Sequence, residues 1–365
     1  MSEESTVSPT FHFLHPLLQP PHEVLQQLLP DRDLSVLDFI NFPFPTISYA
    51  KISFTPVQFF SMDQPTITDI GKLRVVPIPP PSVVKTLLEQ CSSFLQRGVK
   101  SLTCPHAPGC PGTYLPIWTL LYWCEVVELQ HKYLVPWLHA EETLQKHSRK
   151  WRQTEKQTHE LIEGVYNALG SISWFGNIKG FKNSEPIWNL ARYATDQWLS
   201  NVHQNQMTDL LCRDLRFHQA SRLIEVEHTY FFKTLKLAYE SRNTGEYEMS
   251  KYFARTCKIG MALASGMRKS LGFLLHVNNN HWIAIVLDFT HSQILVGDSL
   301  KHNPDPALLD ILSWRTHHHT SRTFTTALLP TTVQHDTFSC GVLAFNALAH
   351  YVLPEKYNLI DSDAV

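Results

Sequence analysis

One stretch of the sequence decides the fold class: LGFLLHVNNNHWIAIVLDFTHSQILVGDSL, residues 271–300. It is rich in branched and aromatic side chains, and it falls into runs of strand length at 271–277, 282–289 and 293–298. A three-residue segment, 290–292, separates the last two runs, and this spacing is typical of a turn between antiparallel strands. The stretch therefore predicts a β-hairpin preceded by a further strand.

Helical patterns lie on both sides of this stretch. Upstream, four apolar residues recur at the spacing of one helical face: Met207, Leu210, Leu211 and Leu215. Downstream, the pattern predicts a helix after Asn303-Pro304, a strand over about 323–329, and a last helix that begins at Cys340 with Ser339 as its capping residue. Strands and helices in this mixed order predict an α+β domain.

Three side chains in this region have the chemistry of a thiol nucleophile and its partners. Cysteine attacks as the thiolate, which a nearby imidazole and a helix N-terminus both stabilise, and Cys340 opens a predicted helix. The imidazole needs a partner that accepts its second N–H. His281 precedes one hairpin strand and Asp298 ends the next, so antiparallel pairing brings both to one end of the sheet. The pattern predicts a catalytic triad.

A tetrahedral intermediate would also need donors for its oxyanion. The backbone N–H of Cys340 can supply one donor, and the side-chain amide of Gln334, six residues upstream, can supply another. Gln334 is therefore the fourth candidate catalytic residue.

These four residues resemble the SUMO-type, ubiquitin-like-protein-specific cysteine protease family. The resemblance lies in His281-Trp282, in Asp298 seventeen residues after the histidine, and in Gln334 six residues before Cys340-Gly341. It covers about 185–355 and implies a papain-like domain, in which helices flank a central sheet. It also implies a thiol protease or isopeptidase that cleaves after the C-terminal diglycine of a ubiquitin-like modifier, SUMO or similar, through an acyl-enzyme. The expected partner is such a modifier or its protein conjugates.

A second motif adds to the resemblance. Trp198-Leu199-Ser200-Asn201 is similar to the family's tryptophan-leucine motif, which leads into a helix below the active site. In that family the two tryptophans flank a narrow tunnel for the diglycine, which only glycine can enter. The resemblance therefore assigns Trp198 and Trp282 to substrate binding. Ser339 and Asn201 stand where the family usually has acidic residues, which leaves the choice of modifier open.

The front half of the chain resembles no family. Over 1–83 prolines are frequent and predict an irregular lead-in with short strands, which ends in Pro77, Pro79, Pro80 and Pro81. Helical patterns dominate 84–170, and five apolar residues mark one face of the last helix: Leu161, Ile162, Val165, Tyr166 and Leu169. Glycines cluster just beyond, so the catalytic domain is expected over 171–365.

Charge and cysteine content narrow the class of protein. Lys and Arg total 31 against 33 Asp and Glu, a net charge of −2, so the overall field does not attract phosphate and no nucleic-acid partner is expected. No apolar run reaches the about 18 residues that span a membrane. The seven cysteines are odd in number and widely spaced, which favours reduced thiols. We expect an intracellular protein of the nucleus or cytoplasm, without a cofactor.

Two other groups of residues have metal-binding chemistry. Cys104, His106 and Cys110 lie in a proline-rich segment, but a closed zinc site needs four ligands, and Cys91 or Cys124 would have to complete it. The run 317–319 consists of histidines and follows a predicted helix, which favours a solvated loop. No metal site is assigned to either group.

Two alternative functions remain open at this point. The same triad serves acyl transfer in certain bacterial effectors that resemble this protease class, but that route needs an acyl-coenzyme site. A non-catalytic module that binds a modifier, or acts in a mobile-element protein, could also use a protease scaffold. The intact triad favours the protease.

Overall fold

The computed structural model describes residues 15–48, 55–67, 69–105, 113–151 and 156–361. The chain forms two compact units. The first comprises Met1–Asn177 with Pro186–Ala194, and the second comprises Ile178–Glu185 with Thr195–Val365. Within the described ranges, no helix has the length and apolar character needed to cross a membrane.

The N-terminal unit is mainly helical. Its helices are α1 (His22–Leu28), α2 (Val36–Ile40), α3 (Ile70–Val75), α4 (Pro81–Gln96), α5 (Thr119–Glu128), α6 (Val135–Trp151) and α7 (Lys156–Ser171), with a π-helical turn at Leu129–Leu134. Three two-residue strands form an antiparallel sheet: β1 (Phe60–Ser61), β2 (Ser101–Leu102) and β3 (Leu115–Pro116). The described part of the unit has two apolar clusters, one of which includes Leu169 and Val165 of α7.

The proline-rich segment 1–83 is more helical than its composition predicts. Its described part contains α1 to α3, and α4 already begins at Pro81. A proline is tolerated in the first turn of a helix, because its missing N–H has no partner there in any case. Polar side chains also start these short helices, since Ser35 Oγ accepts from Asp38 N at 3.1 Å and Asp69 Oδ1 accepts from Gly71 N at 2.7 Å.

The C-terminal unit is built on a five-stranded mixed sheet of order β10-β9-β8-β7-β6. Its strands are β6 (Ile224–Glu227), β7 (Ser270–Val277), β8 (His281–Asp288), β9 (Gln293–Gly297) and β10 (Thr325–Leu328); the short β4 (Asn177–Ile178) and β5 (Glu185–Pro186) pair with each other. The antiparallel pairs β7·β8 and β8·β9 confirm the predicted hairpin and the strand before it. The outer strands β6 and β10 run parallel to β7 and β9.

Helices cover both faces of this sheet, as the α+β prediction requires. They are α8 (Asn201–Arg216), α9 (Phe231–Glu240), α10 (Glu246–Met249), α11 (Ala254–Ala264), α12 (Pro306–Thr320) and α13 (Cys340–Val352). Side chains of β8 alternate between two apolar clusters. Ile283 and Ile285 pack with residues of α9, α11 and α12, whereas Ala284 and Val286 pack with α13 and α8. All eight residues of β8 are buried, which explains its unbroken apolar sequence.

The histidine run 317–319 lies within α12, so the predicted loop is wrong at this position. The helix continues because His319 has a partner inside the unit: its Nε2 lies 2.8 Å from the hydroxyl oxygen of Tyr247. Burial, together with the nearby positive charge of Arg315, lowers the pKa of His319 to about 3. His319 is therefore a packed residue of α12 and not part of a solvated tract.

Candidate active site

The hairpin places His281 and Asp298 together, as predicted. His281 is the first residue of β8, and Asp298 directly follows β9, which pairs antiparallel with β8. His281 Nε2 lies 2.7 Å from Asp298 Oδ1, and the same oxygen accepts the backbone N–H of Leu300 at 2.8 Å. His281 is only 7 % exposed. The carboxylate is thus fixed from two sides and holds the imidazole ring in one orientation.

The surroundings of His281 favour its protonated form. Burial alone would lower its pKa, but hydrogen bonds to Asp298 and to Cys340 outweigh the desolvation and raise the pKa from 6.5 to about 9. The pKa of Asp298 is lowered: its burial opposes this, but the hydrogen bond from His281 and that from Leu300 N–H prevail. Because Nε2 is bound to Asp298, the nitrogen left to face the thiol is Nδ1.

Cys340 begins α13 and is 2 % exposed. Cys340 contributes to the raised pKa of His281, so its thiol lies beside the imidazole and the three predicted triad residues are near one another. A thiolate here would gain from the partial positive charge of the helix N-terminus. Cysteine, imidazole and carboxylate in this order can carry out nucleophilic attack on a carbonyl carbon.

A carboxylate two residues after Gln334 holds the turn before Cys340. Asp336 accepts the backbone N–H groups of Phe338 at 3.0 Å and Ser339 at 2.8 Å. Burial opposes its charge, but the hydrogen bonds from Ser339, from Phe338 and from Gln334 lower its pKa. The hydroxyl of Ser339 donates to Asp336 and does not cap α13, so the predicted capping role of Ser339 is wrong.

Gln334 connects this turn to the loop that carries Asp298. Its side-chain Oε1 accepts from Ser299 Oγ at 3.0 Å, and its backbone N–H donates to Ser299 O at 2.9 Å. Its Nε2 donates to Asp336 O at 3.0 Å and lies 3.1 Å from Asp336 Oδ1. Ser299 is 1 % exposed and was not singled out from the sequence, although it directly follows Asp298. These bonds hold the residues around the triad in one arrangement.

The two tryptophans lie close to the nucleophile but differ in exposure. Trp198 is 46 % exposed, and its indole N–H donates to Thr337 O in the turn before Cys340. Trp282 is 2 % exposed, donates to Leu199 O at 2.8 Å and packs in the same apolar cluster as Cys340. In this structure Trp198 therefore offers surface to a ligand, and Trp282 supports the chain at Leu199.

Close packing explains why the residue after Cys340 is a glycine, Gly341. A Cβ at this position would lie 2.4 Å from Gln204 Nε2, 3.2 Å from Leu199 Cβ and 3.5 Å from Trp282 Cδ1. Gln204 is fully buried, and neither of its amide atoms has a hydrogen-bond partner among the described residues. The helix of the nucleophile thus packs directly on α8, which follows the tryptophan-leucine motif.

An open cleft of about 920 Å³ lies beside two of the three triad residues. His281 and Asp298 line it, and so does Asn201 at the start of α8. The turn 278–280, residues of α9 and the segment 302–308 form the rest of its wall. A ligand can therefore reach His281 from solvent.

The described residues provide no candidate metal centre: none of their His, Cys, Asp and Glu side chains form a group of three or more suited to a metal ion. Cys104 is buried. His106 and Cys110 lie outside the described residues, so the metal hypothesis for this segment stays untested.

Solved structures similar to this chain were found at low sequence identity. The C-terminal protease domain of Ulp1 in complex with Smt3, the yeast orthologue of SUMO, is 16 % identical with a TM-score of 0.41, and the match covers 55 % of this chain and 86 % of that chain. The Xanthomonas campestris effector XopD bound to ubiquitin is 19 % identical with a TM-score of 0.31, and that match covers 44 % and 79 %. A de-sumoylating protease is 12 % identical with a TM-score of 0.36, covering 50 % and 74 %.

These structures are SUMO and ubiquitin-like-protein proteases. They cover about half of this chain, in agreement with a resemblance confined to the C-terminal half. No protein-family model matches the sequence, and no curated protein matches it either. The geometry of the site, and not the likeness to these structures, supports a function.

Proposed function

We propose that the C-terminal unit is a cysteine peptidase that cleaves after the C-terminal diglycine of a ubiquitin-like modifier, SUMO or similar. The observation that carries this proposal is the chain of contacts from Cys340 to His281 to Asp298, with 2.7 Å between the imidazole and the carboxylate. The cysteine lies at a helix N-terminus, and the histidine lies at the end of an open cleft. A thiol protease needs these features together.

The proposed reaction has two stages. Cys340 attacks as the thiolate while His281, whose pKa is raised, holds the proton as the imidazolium. The sulfur bonds to the carbonyl carbon of the terminal glycine, and the carbonyl electron pair moves to oxygen. When this intermediate collapses, the bond to the leaving amine breaks and His281 returns the proton to that nitrogen, which leaves a thioester on Cys340. Water, deprotonated by His281, then attacks the thioester, and the modifier leaves as a free carboxylate while the thiol is restored.

Gln334 is the proposed second donor to the oxyanion, beside the backbone N–H of Cys340. Its Nε2 is bound to Asp336 in this structure, but an amide nitrogen carries two hydrogens. If one hydrogen of Nε2 is shared between the two Asp336 oxygens, the second hydrogen is left to donate to the oxyanion of the substrate. We expect Gln334→Ala to lower kcat more than it raises KM, because the oxyanion exists only after attack.

Trp198 is the proposed contact for the diglycine, because its exposed indole lies against the turn before Cys340. Trp282 would act beneath it, and its burial suggests that it serves the tunnel mainly by holding Leu199 in place. An intracellular location, in nucleus or cytoplasm, belongs to the same proposal, since a thiolate nucleophile persists in a reducing compartment.

The proposal is tested with a panel of ubiquitin-like modifiers that carry a thiol-reactive group at the C-terminus. The purified full chain should form a covalent adduct with at least one modifier, and Cys340→Ala should form none. Cys212→Ala is the matched control in the same unit, because burial raises the pKa of that thiol to about 11 and it should not react. The Cys212 variant should therefore label as the natural chain does.

Other outcomes would redirect the assignment. A chain that labels with no modifier and cleaves none of their fusions would refute the peptidase proposal. Turnover of acetyl-coenzyme A that depends on Cys340 would favour acyl transfer. Tight binding of a modifier without adduct or cleavage would favour a non-catalytic module.

A further inference from the structure

The cleft beside the triad carries positive charge that the proposed reaction does not use. Lys233 and Lys236 both line it, and both are exposed on the surface of α9. They are three residues apart on one helix, so their side chains lie on the same face. His302 also lines the cleft, where its Nδ1 lies 3.6 Å from Asp298 Oδ2, so it is paired within the site.

The carboxylates in the cleft wall already have partners. Asp298 accepts from His281, whose protonated form neutralises it. Asp305 Oδ1 accepts the backbone N–H of Ala307 at 2.9 Å, where it caps α12. Among the described residues, neither lysine has a carboxylate within ion-pair distance. Asp305 keeps its negative charge, but the two lysines exceed it, so the cleft offers a net positive charge to a ligand.

The floor of the cleft also suits an extended polypeptide. The turn between β7 and β8 consists of Asn278, Asn279 and Asn280, and all three line the cleft and are exposed. Side-chain amides can both donate to and accept from a passing backbone. Positive side chains on one wall and amides on another fit an extended segment with negatively charged residues.

We propose that this cleft binds an acidic, extended segment of the substrate next to the scissile bond. The inference rests on the proposed function: His281 lines the cleft and would act on the bond that Cys340 attacks, so a chain segment beside that bond can enter the cleft. The acidic residues would pair with Lys233 and Lys236. Substrates with basic residues at these positions would be disfavoured by like-charge repulsion.

The test uses a modifier that labels Cys340, in two versions that differ only in the residues just before the diglycine: two glutamates or two lysines. At low salt the glutamate version should label about tenfold faster, since each exposed charge contact changes binding by up to about fivefold. The preference should shrink at about 1 M salt, where the Debye length is about 3 Å.

Charge reversal makes the test specific to the cleft. The double variant Lys233→Glu/Lys236→Glu should label the lysine version faster than the glutamate version. The matched control is Lys251→Glu/Lys258→Glu, which changes net charge equally at exposed positions that do not line the cleft. This control should keep the natural preference.

A second pair of substrates identifies which side of the scissile bond carries the acidic segment. These are fusions in which the residues after the diglycine are acidic or basic, and cleavage is measured instead of labelling. A charge preference in labelling assigns the cleft to the modifier, and a preference in cleavage alone assigns it to the leaving group.

Equal rates for both charges in both assays would overturn the inference while leaving the peptidase proposal intact. A preference that survives charge reversal of the two lysines would overturn it as well. Absence of any labelling or cleavage would overturn both proposals.

Discussion

Replacing Asp298 by asparagine separates the two contributions of this residue to the site. The asparagine carbonyl can still accept from His281 Nε2, so the ring keeps its orientation, but the negative charge is lost. In the natural chain His281 has a pKa of about 9 against an ordinary value of 6.5. The difference corresponds to about 3 kcal/mol in favour of the imidazolium, shared between the bonds to Asp298 and Cys340.

The magnitude of the effect follows from the fraction of imidazolium. At pH 8 about nine-tenths of His281 is protonated if its pKa is about 9, whereas only about 3 % would be protonated at the ordinary value. Because the imidazolium protonates the leaving amine, cleavage at pH 8 should fall by up to about thirtyfold in Asp298→Asn. The alkaline limb of the profile should move from near pH 9 toward neutral pH.

The assay is cleavage of a reactive modifier fusion from pH 5 to pH 10, with kcat/KM measured at each step. Asp298→Ala is the comparison, because it also removes the acceptor for His281 and for Leu300 N–H, and it should lose more activity at every pH. An alkaline limb that stays near pH 9 in Asp298→Asn would show that the carboxylate does not set the pKa of His281, and would refute the reasoning.

The same shift predicts a dependence of stability on pH. The protonation of His281 stabilises the folded chain because its pKa is higher there than in the unfolded chain. This stabilisation is complete below the unfolded pKa of about 6.5, and it is lost as the pH rises through the folded pKa of about 9. The difference in the free energy of unfolding between the natural chain and Asp298→Asn, measured by urea denaturation, should therefore be larger at pH 6 than at pH 10. A constant difference would contradict it.

Three further predictions concern packing and are checked by the free energy of unfolding in urea. Gln204→Leu should stabilise the chain by about 1 kcal/mol or more, because it removes a buried amide that has no hydrogen-bond partner among the described residues. The neighbouring Asn205→Leu should destabilise it by about 1–3 kcal/mol, because Asn205 Oδ1 accepts from Thr229 N at 3.0 Å. Gly341→Ala should cost about 1–3 kcal/mol through contact with Gln204, and adding Gln204→Ala should recover part of the loss. Tyr247→Phe should cost about 3 kcal/mol, because the fully buried guanidinium of Arg315 donates to the Tyr247 hydroxyl at 2.7 Å. Equal effects of the Gln204 and Asn205 changes would contradict the first prediction. No recovery of stability in the double variant would contradict the second, and an unchanged stability of Tyr247→Phe would contradict the third.

The sequence was sufficient to predict β7 to β10, with His281 at the start of β8 and Asp298 at the end of β9, but β6 was not predicted. Strand β8 is buried on both faces, so its apolar run is unbroken. This run starts directly after His281. Antiparallel pairing then fixes which ends meet, without knowledge of any loop. The helix of Cys340 was equally visible, because its apolar residues recur on one face.

The loops around the triad could not be predicted in the same way. The bonds between Ser299 and Gln334 join residues 35 positions apart, and nothing in either local pattern indicates the pairing. The burial of Trp282 depends on which face of β8 packs against α13, and the amphipathic pattern that normally reports this is absent in a strand buried on both faces. Prolines in the front half misled for a different reason, since composition does not show that Pro81 occupies the first turn of a helix.

Asp336 shows how the site accommodates a serine at position 339. Where the resembled family usually has an acidic residue directly before the cysteine, this chain has Ser339, and a loss of charge at that point would be expected to weaken the turn. The carboxylate of Asp336, three residues before Ser339, accepts the backbone N–H groups of Phe338 and Ser339 instead. It therefore supplies a negative charge to the same turn. Because it also holds Gln334, the two residues form one polar unit at the start of α13. The serine at position 339 therefore changes which carboxylate holds the turn. It leaves the arrangement of Cys340, His281 and Asp298 intact.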